Sequence, residues 1–137
     1  MRIEQDFKGI RKATAAALIL SALALAFICI APQVLIRGIS EEIGPKLELA
    51  KELVTAEMTD KAVPHISEIR RAVEEKGDVL MFFFDHSRLL ELKEACLTAE
   101  LLAEAGDVTQ LLSELGAIEA ELDHLLHMNE AKIFNLL

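Results

Sequence analysis

From Ala13 to Ala31 nineteen consecutive residues carry no charge, and the run continues through Pro32 and Gln33 to Ile36 before Arg37 interrupts it. As an α-helix rising 1.5 Å per residue, these 24 residues reach roughly 36 Å, against roughly 30 Å of bilayer hydrocarbon. Residues 13–36 are therefore predicted to be a transmembrane helix whose partner is the lipid bilayer. Pro32 falls in the last turn, where interfacial water or neighbouring groups satisfy the freed carbonyl, so it kinks or ends the helix without forbidding the span.

The charges on either side orient the run. Arg2, Lys8, Arg11 and Lys12 precede it, while Arg37 beyond it is soon followed by Glu41 and Glu42. The excess of Lys and Arg predicts a cytoplasmic N-terminus, residues 1–12, and an extracytoplasmic domain, residues 38–137, in a single-pass cell-membrane protein. A secretory signal cut after Ala26 is the competing reading, because Ala24-Leu25-Ala26 has the small-x-small pattern. The apolar stretch, however, continues ten residues past that site, as an anchor requires. A lipid-modified Cys29 fits less well, since Ile28 stands where such sites place a small residue.

Residues 38–137 hold 21 acids and 9 bases, a net charge of −12, which makes nucleic acid or an anionic membrane surface a poor partner for them. With no Trp or Tyr and a vocabulary of Leu, Ala and Glu, it reads as all-α. Cys29 lies in the apolar run and Cys96 in a later helix, so no disulfide framework is implied.

Helix boundaries follow from caps and breakers. Gly44-Pro45 is expected to break the helix leaving the membrane and to start another over 45–58, with Leu47, Ala50, Leu53 and Val54 as its apolar stripe. Thr59 or Asp60 should cap a third, striped by Ile66, Ile69 and Val73, with Pro64 near its start. Glu75-Lys76-Gly77-Asp78-Val79 then recurs as Glu104-Ala105-Gly106-Asp107-Val108. Each copy reads as a helix stop followed by a start: Gly takes the left-handed position and Asp caps the next N-terminus. Helices over 79–105 and 108–128 follow, the second reinforced by Gln110 three residues after Asp107. Two copies are too few for a solenoid, so the fold predicted for 38–137 is a small antiparallel bundle of about four helices.

Candidate chemistry gathers at two places. Phe82, Phe83 and Phe84 cannot all face one helical partner; the ordinary reading is a core plug, the functional one a patch meeting the membrane or a partner. Asp85-His86-Ser87 lists a catalytic trio, but helix neighbours point about 100° apart and cannot hydrogen-bond in triad order. No other catalytic set occurs, and the chain is read as non-enzymatic, with no cofactor. His86 shares a stripe with Phe82 and Leu89 and should point inward. Asp123, His124 and His127 place two imidazoles three residues apart, and a hairpin about Gly106-Asp107 sets His86 level with His127 and Leu89 level with His124. Asp85, His86, Asp123, His124 and His127 are thus the metal-site candidates, and a cluster of this kind would couple to protonation near pH 6. His65 is expected to be exposed. Ser113, Gly116, Ala117 and Ala120 form a small-residue stripe beside Leu111, Leu115, Ile118, Leu122 and Leu125, so this last helix should be packed on two faces, by the bundle and by a further helix or partner.

An N-terminal span, Phe83, Asp85, His86 and Ser87 opening a long helix, Asp123-His124 later, and a terminal Asn135-Leu136-Leu137 together resemble domain-of-unknown-function family 4363. The chain departs from that pattern in having no Trp and in placing Leu125 where members carry Pro. The resemblance covers nearly the whole chain and implies a surface-facing membrane protein of clostridia or related Gram-positive bacteria, with no reaction attached. The functional expectation is an anchored, non-enzymatic module that binds a protein partner at the outer membrane face; a ligand or metal sensor built on the histidines is the alternative.

Overall fold

The computed structural model describes residues 2–134 and places them in four helices, with no strand among the described residues: α1 (Arg2–Thr55), α2 (Thr59–Leu80), α3 (His86–Ala105) and α4 (Val108–Phe134). The terminal Asn135-Leu136-Leu137 motif lies outside the described residues. The chain divides into two compact units, Met1–Ala31 and Pro32–Leu137.

The first unit is the N-terminal part of α1. It is long and apolar enough to cross a membrane by length and composition, a test that a signal sequence near an N-terminus also passes. Leu18, Ile19, Leu20, Leu23, Leu25, Phe27, Ile28 and Ile30 are all more than half exposed.

In the second unit every helix lays down a buried stripe in steps of three and four residues, the spacing that keeps one face of a helix inward. α1 contributes Ile36, Ile39, Ile43, Leu47, Ala50 and Val54; α2 contributes Ala62, Ile66, Ile69, Val73 and Leu80; α3 contributes Leu89, Leu92, Cys96, Ala99 and Ala103; α4 contributes Leu111, Leu115, Ile118, Leu122 and Leu125. Ion pairs join α1 to α2 (Lys46 to Glu68 at 2.9 Å, and Lys76 to Glu42), α2 to α3 (Arg70 to Glu100 at 2.6 Å, Lys93 to Asp78 at 3.1 Å), α3 to α4 (Arg88 to Glu121 at 3.7 Å) and α4 to α1 (Lys51 to Glu119 at 2.6 Å).

Three expected boundaries are corrected. Gly44-Pro45 does not end a helix: α1 runs through Pro32 and Pro45 without a break. An interior Pro costs about 3 kcal/mol, whereas each fully buried Ile or Leu contributes about 1.5–3 kcal/mol. The stripe from Ile36 to Val54 keeps its inward phase only if the helix continues. Ile36, assigned to the membrane run by its neighbours, is 0% exposed and belongs to this core.

The second correction concerns Gly77-Asp78. Helix α2 passes through Gly77 to Leu80 and turns over Met81 to Phe84. Leu80 and Phe84, 1% and 7% exposed, lie further along the Ile66–Ile69–Val73 stripe, and a stop at Gly77 would lose both. Its twin behaves as expected: Gly106 has φ 72°, its N–H and that of Asp107 donate to Ala103 and Leu102, and Asp107 accepts from the Gln110 N–H at 3.1 Å. Finally, neither Thr59 nor Asp60 caps α2. Met58 occupies the cap position without a side-chain bond.

Candidate functional site

The α2–α3 turn is where the sequence concentrates aromatic and polar groups, and the structure separates them. Asp85 is the N-cap of α3, accepting from the Ser87 N–H at 2.8 Å and the Ser87 hydroxyl at 2.7 Å. These bonds, the hydroxyl's first, hold its carboxyl below the usual carboxylate range. Asp85 and Ser87 are therefore spent on starting a helix. The Phe run is divided three ways: Phe84 is in the core, Phe83 packs partly against it, and Phe82 is 86% exposed.

The expected inward His86 is corrected to an exposed one. The stripe that turned it inward, Phe82–His86–Leu89, assumes helix from residue 79, but α3 begins only after Asp85, which leaves His86 in the first turn. On α4, Asp123, His124 and His127 are all exposed, and the His127 Nδ1 lies 2.7 Å from the Asp123 carbonyl, to which it donates along its own helix. Among the described residues no three His, Cys, Asp or Glu side chains gather to hold a metal ion, so Asp85, His86, Asp123, His124 and His127 are not assembled into a site. His65, expected to be exposed, is half-buried.

Other polar groups serve packing. Between α2 and α3, Arg70 donates to Glu74 at 2.7 Å while its Nε lies 2.6 Å from Glu100, a close ionic contact without aligned hydrogen-bond geometry; Ser67 donates to the other Glu100 oxygen. Between α1 and α4, the bond from Lys51 lowers the Glu119 carboxyl and raises the Lys51 ammonium. Burial pushes the Cys96 thiol up to about 12, which keeps it protonated and unreactive.

What the sequence reading missed is apolar. Leu90, Leu97 and Leu101 are 46–56% exposed on α3, in steps of seven and four residues that align them on one outward face. The signal was available: Leu at 89, 90, 92, 97, 101 and 102 covers more of the helix circumference than one buried stripe needs. Of the small-residue stripe of α4, Ser113, Ala117 and Ala120 are exposed and Gly116 is half-buried; α4 meets α3 through Arg88–Glu121 and α1 through Lys51–Glu119, so the expected second neighbour is α1. No family model, curated protein or solved structure matches the chain.

Proposed function

We propose that this chain is a membrane-anchored, non-enzymatic interaction module: the apolar run from Ala13 to Ala31 holds it in the cell membrane with the N-terminus inside, and an antiparallel helical bundle outside, whose core Ile36 joins, binds another protein through α3. The observation that carries the reading is the outward Leu90–Leu97–Leu101 face. A bundle helix needs one buried stripe; a second apolar one facing water lowers solubility unless something covers it.

The bundle arrangement is supported by the order of its ion pairs. Lys46 meets Glu68 while Glu42 meets Lys76, so position falls along α1 as it rises along α2; Arg70 with Glu100 and Asp78 with Lys93 repeat the pattern for α2 and α3. The anchor is supported by the eight exposed apolar side chains of the run, which water would solvate at a cost of about 25 cal/mol per Å². The kinship with family 4363 is part of the proposal and rests on Phe83, Asp85, His86, Ser87, Asp123 and His124. The sensor alternative is less well supported, since among the described residues no three His, Cys, Asp or Glu side chains gather.

A photoreactive amino acid placed at Leu97 in the full chain, in its own membrane, tests the partner. A discrete cross-linked species from position 97, and none from exposed Thr98 on the neighbouring face, is expected. Equal or absent adducts at both positions would remove the α3 surface from the proposal.

A further inference from the structure

The outward face of α3 has an order beyond its three leucines. Leu90, Glu94, Leu97, Leu101 and Glu104 follow one another in steps of four, three, four and three residues, and all five are exposed. This alternation is the heptad spacing that keeps one seam of a helix against a second helix. The buried stripe of α3, Leu89, Leu92, Cys96, Ala99 and Ala103, has the same spacing on a separate face. The helix thus carries two seams, and the bundle occupies one of them.

The second seam is charged as well as apolar. Glu94 and Glu104 take part in no ion pair or hydrogen bond among the described residues. The Arg and Lys of α3 are committed elsewhere, Arg88 to Glu91 and Glu121 and Lys93 to Asp78, and Arg70 of α2 is held by Glu74 and Glu100. A carboxylate at a seam position loses water when a second helix docks, which costs stability unless a cation meets it. A second copy of α3 supplies no such cation. In parallel register Glu94 would face Glu94 and Glu104 would face Glu104; in antiparallel register the carboxylates would be set against leucines or one another. With 21 acids against 9 bases over residues 38–137, the two domains would also repel. A helix bearing Lys or Arg at the matching positions answers both carboxylates, and apolar residues between them cover the leucines.

We propose that the partner of α3 is a basic amphipathic helix of another protein, docked along the Leu90–Glu94–Leu97–Leu101–Glu104 seam with Lys or Arg against Glu94 and Glu104. This deepens, and rests on, the reading of α3 as the partner surface. From residue 90 to residue 104 the seam rises roughly 21 Å, about four turns, which sets the length of helix the partner must present. The leucines supply buried area, and the two carboxylates select the partner by attracting cations and rejecting acidic helices.

Two synthetic helices serve as probes. They share one leucine seam and differ only in carrying lysine or glutamate at the two positions that pair with Glu94 and Glu104. Fluorescence anisotropy measures their binding to the full chain in phosphatidylcholine nanodiscs, with the signal from empty nanodiscs subtracted. The lysine helix is expected to bind about tenfold more tightly than the glutamate helix. The preference should reverse in a chain carrying Glu94→Lys and Glu104→Lys, vanish with the milder Glu94→Gln and Glu104→Gln, and persist with Glu52→Lys, an exposed position on α1. Equal binding of the two helices, or a preference unmoved by these exchanges, overturns the inference and leaves the α3 surface standing. Binding of neither helix also overturns it, and the cross-link at position 97 then decides the α3 surface separately. A cross-linked species of twice the chain's mass overturns it as well, since a second copy would then occupy the seam.

Discussion

Replacing Glu57 with glycine should stabilise the bundle, and replacing Gly106 with alanine should weaken it, for one shared reason. Both residues occupy the left-handed position after a helix, with φ 60° at Glu57 and 72° at Gly106. Both sites make the same pair of closing bonds: Glu57 and Met58 donate to Val54 and Leu53 at 3.1 and 2.8 Å, and Gly106 and Asp107 to Ala103 and Leu102 at 3.2 and 3.1 Å. An L-residue pays about 1–2 kcal/mol to hold this conformation. Glycine avoids that cost but loses about 0.5–1 kcal/mol more chain entropy on folding. Glu57→Gly should therefore gain about 0.5–1 kcal/mol and Gly106→Ala should lose about as much. A Cβ on Gly106 meets nothing within 4 Å, so the loss is backbone conformation alone. At about 4–8 °C per kcal/mol for a domain near 100 residues, the shifts are about 2–8 °C in opposite directions. Thermal unfolding of the full chain in one detergent at fixed concentration, followed by circular dichroism, reads them out. Glu57→Ala keeps the Cβ and removes the acid, whose charge is unfavourable at a helix C-terminus. The excess of Gly over Ala is thus the backbone effect, and its absence would refute the reasoning.

Three further outcomes follow from the same contacts. A Cβ on Gly77 would lie 2.5 Å from the Lys93 Cε, the end of a flexible side chain that can swing aside, so Gly77→Ala should keep most of its helix-propensity gain of about 1 kcal/mol while disturbing the Lys93–Asp78 pair, a coupling that a double-mutant melting cycle with Lys93→Ala measures. Bonds from Lys76, Lys46 and Lys51 lower the carboxyls of Glu42, Glu68 and Glu119, so their contribution is present above the ordinary value of 4.5 and is lost as pH falls through the lowered ones; the melting temperature should drop below about pH 4.5, and less steeply for Glu119→Gln. Asp85→Ala should lower the melting temperature by a few degrees while Asp85→Asn largely preserves it, because an amide oxygen can still accept from the Ser87 N–H.

How much was legible depended on whether the signal was local. The Gly106-Asp107 junction was readable because the left-handed glycine, the Asp cap and the end of the buried stripe at Ala103 coincide there. Gly77-Asp78 carries the same letters and the opposite structure, because Leu80 and Phe84 ahead of it are core residues and tertiary burial outweighs a stop signal. Continuity of α1 through Pro45 has the same origin: no residue near Pro45 announces it, but the phase of the whole Ile36–Val54 stripe demands it. The histidine cluster failed by propagation. One misplaced helix start moved His86 from the first turn to an inward face, and the remaining candidates had no site without it. Phe82 was read with its neighbours as a core plug or as an outward patch, and the α3 leucines were not singled out; packing alone reveals their exposure.

The central claim, a bundle held outside the cell by an N-terminal span, is tested most directly by labelling from outside. In a chain with Cys29→Ser and Cys96→Ala, a single cysteine is placed by Thr98→Cys on exposed α3 or by Lys8→Cys ahead of the span, and intact cells are treated with a membrane-impermeant maleimide. Labelling of Thr98→Cys in intact cells, and of Lys8→Cys only after permeabilisation, with both variants retained in the membrane through an alkaline wash, is the predicted result. The inverse labelling pattern, or release of the chain by the wash, would contradict it.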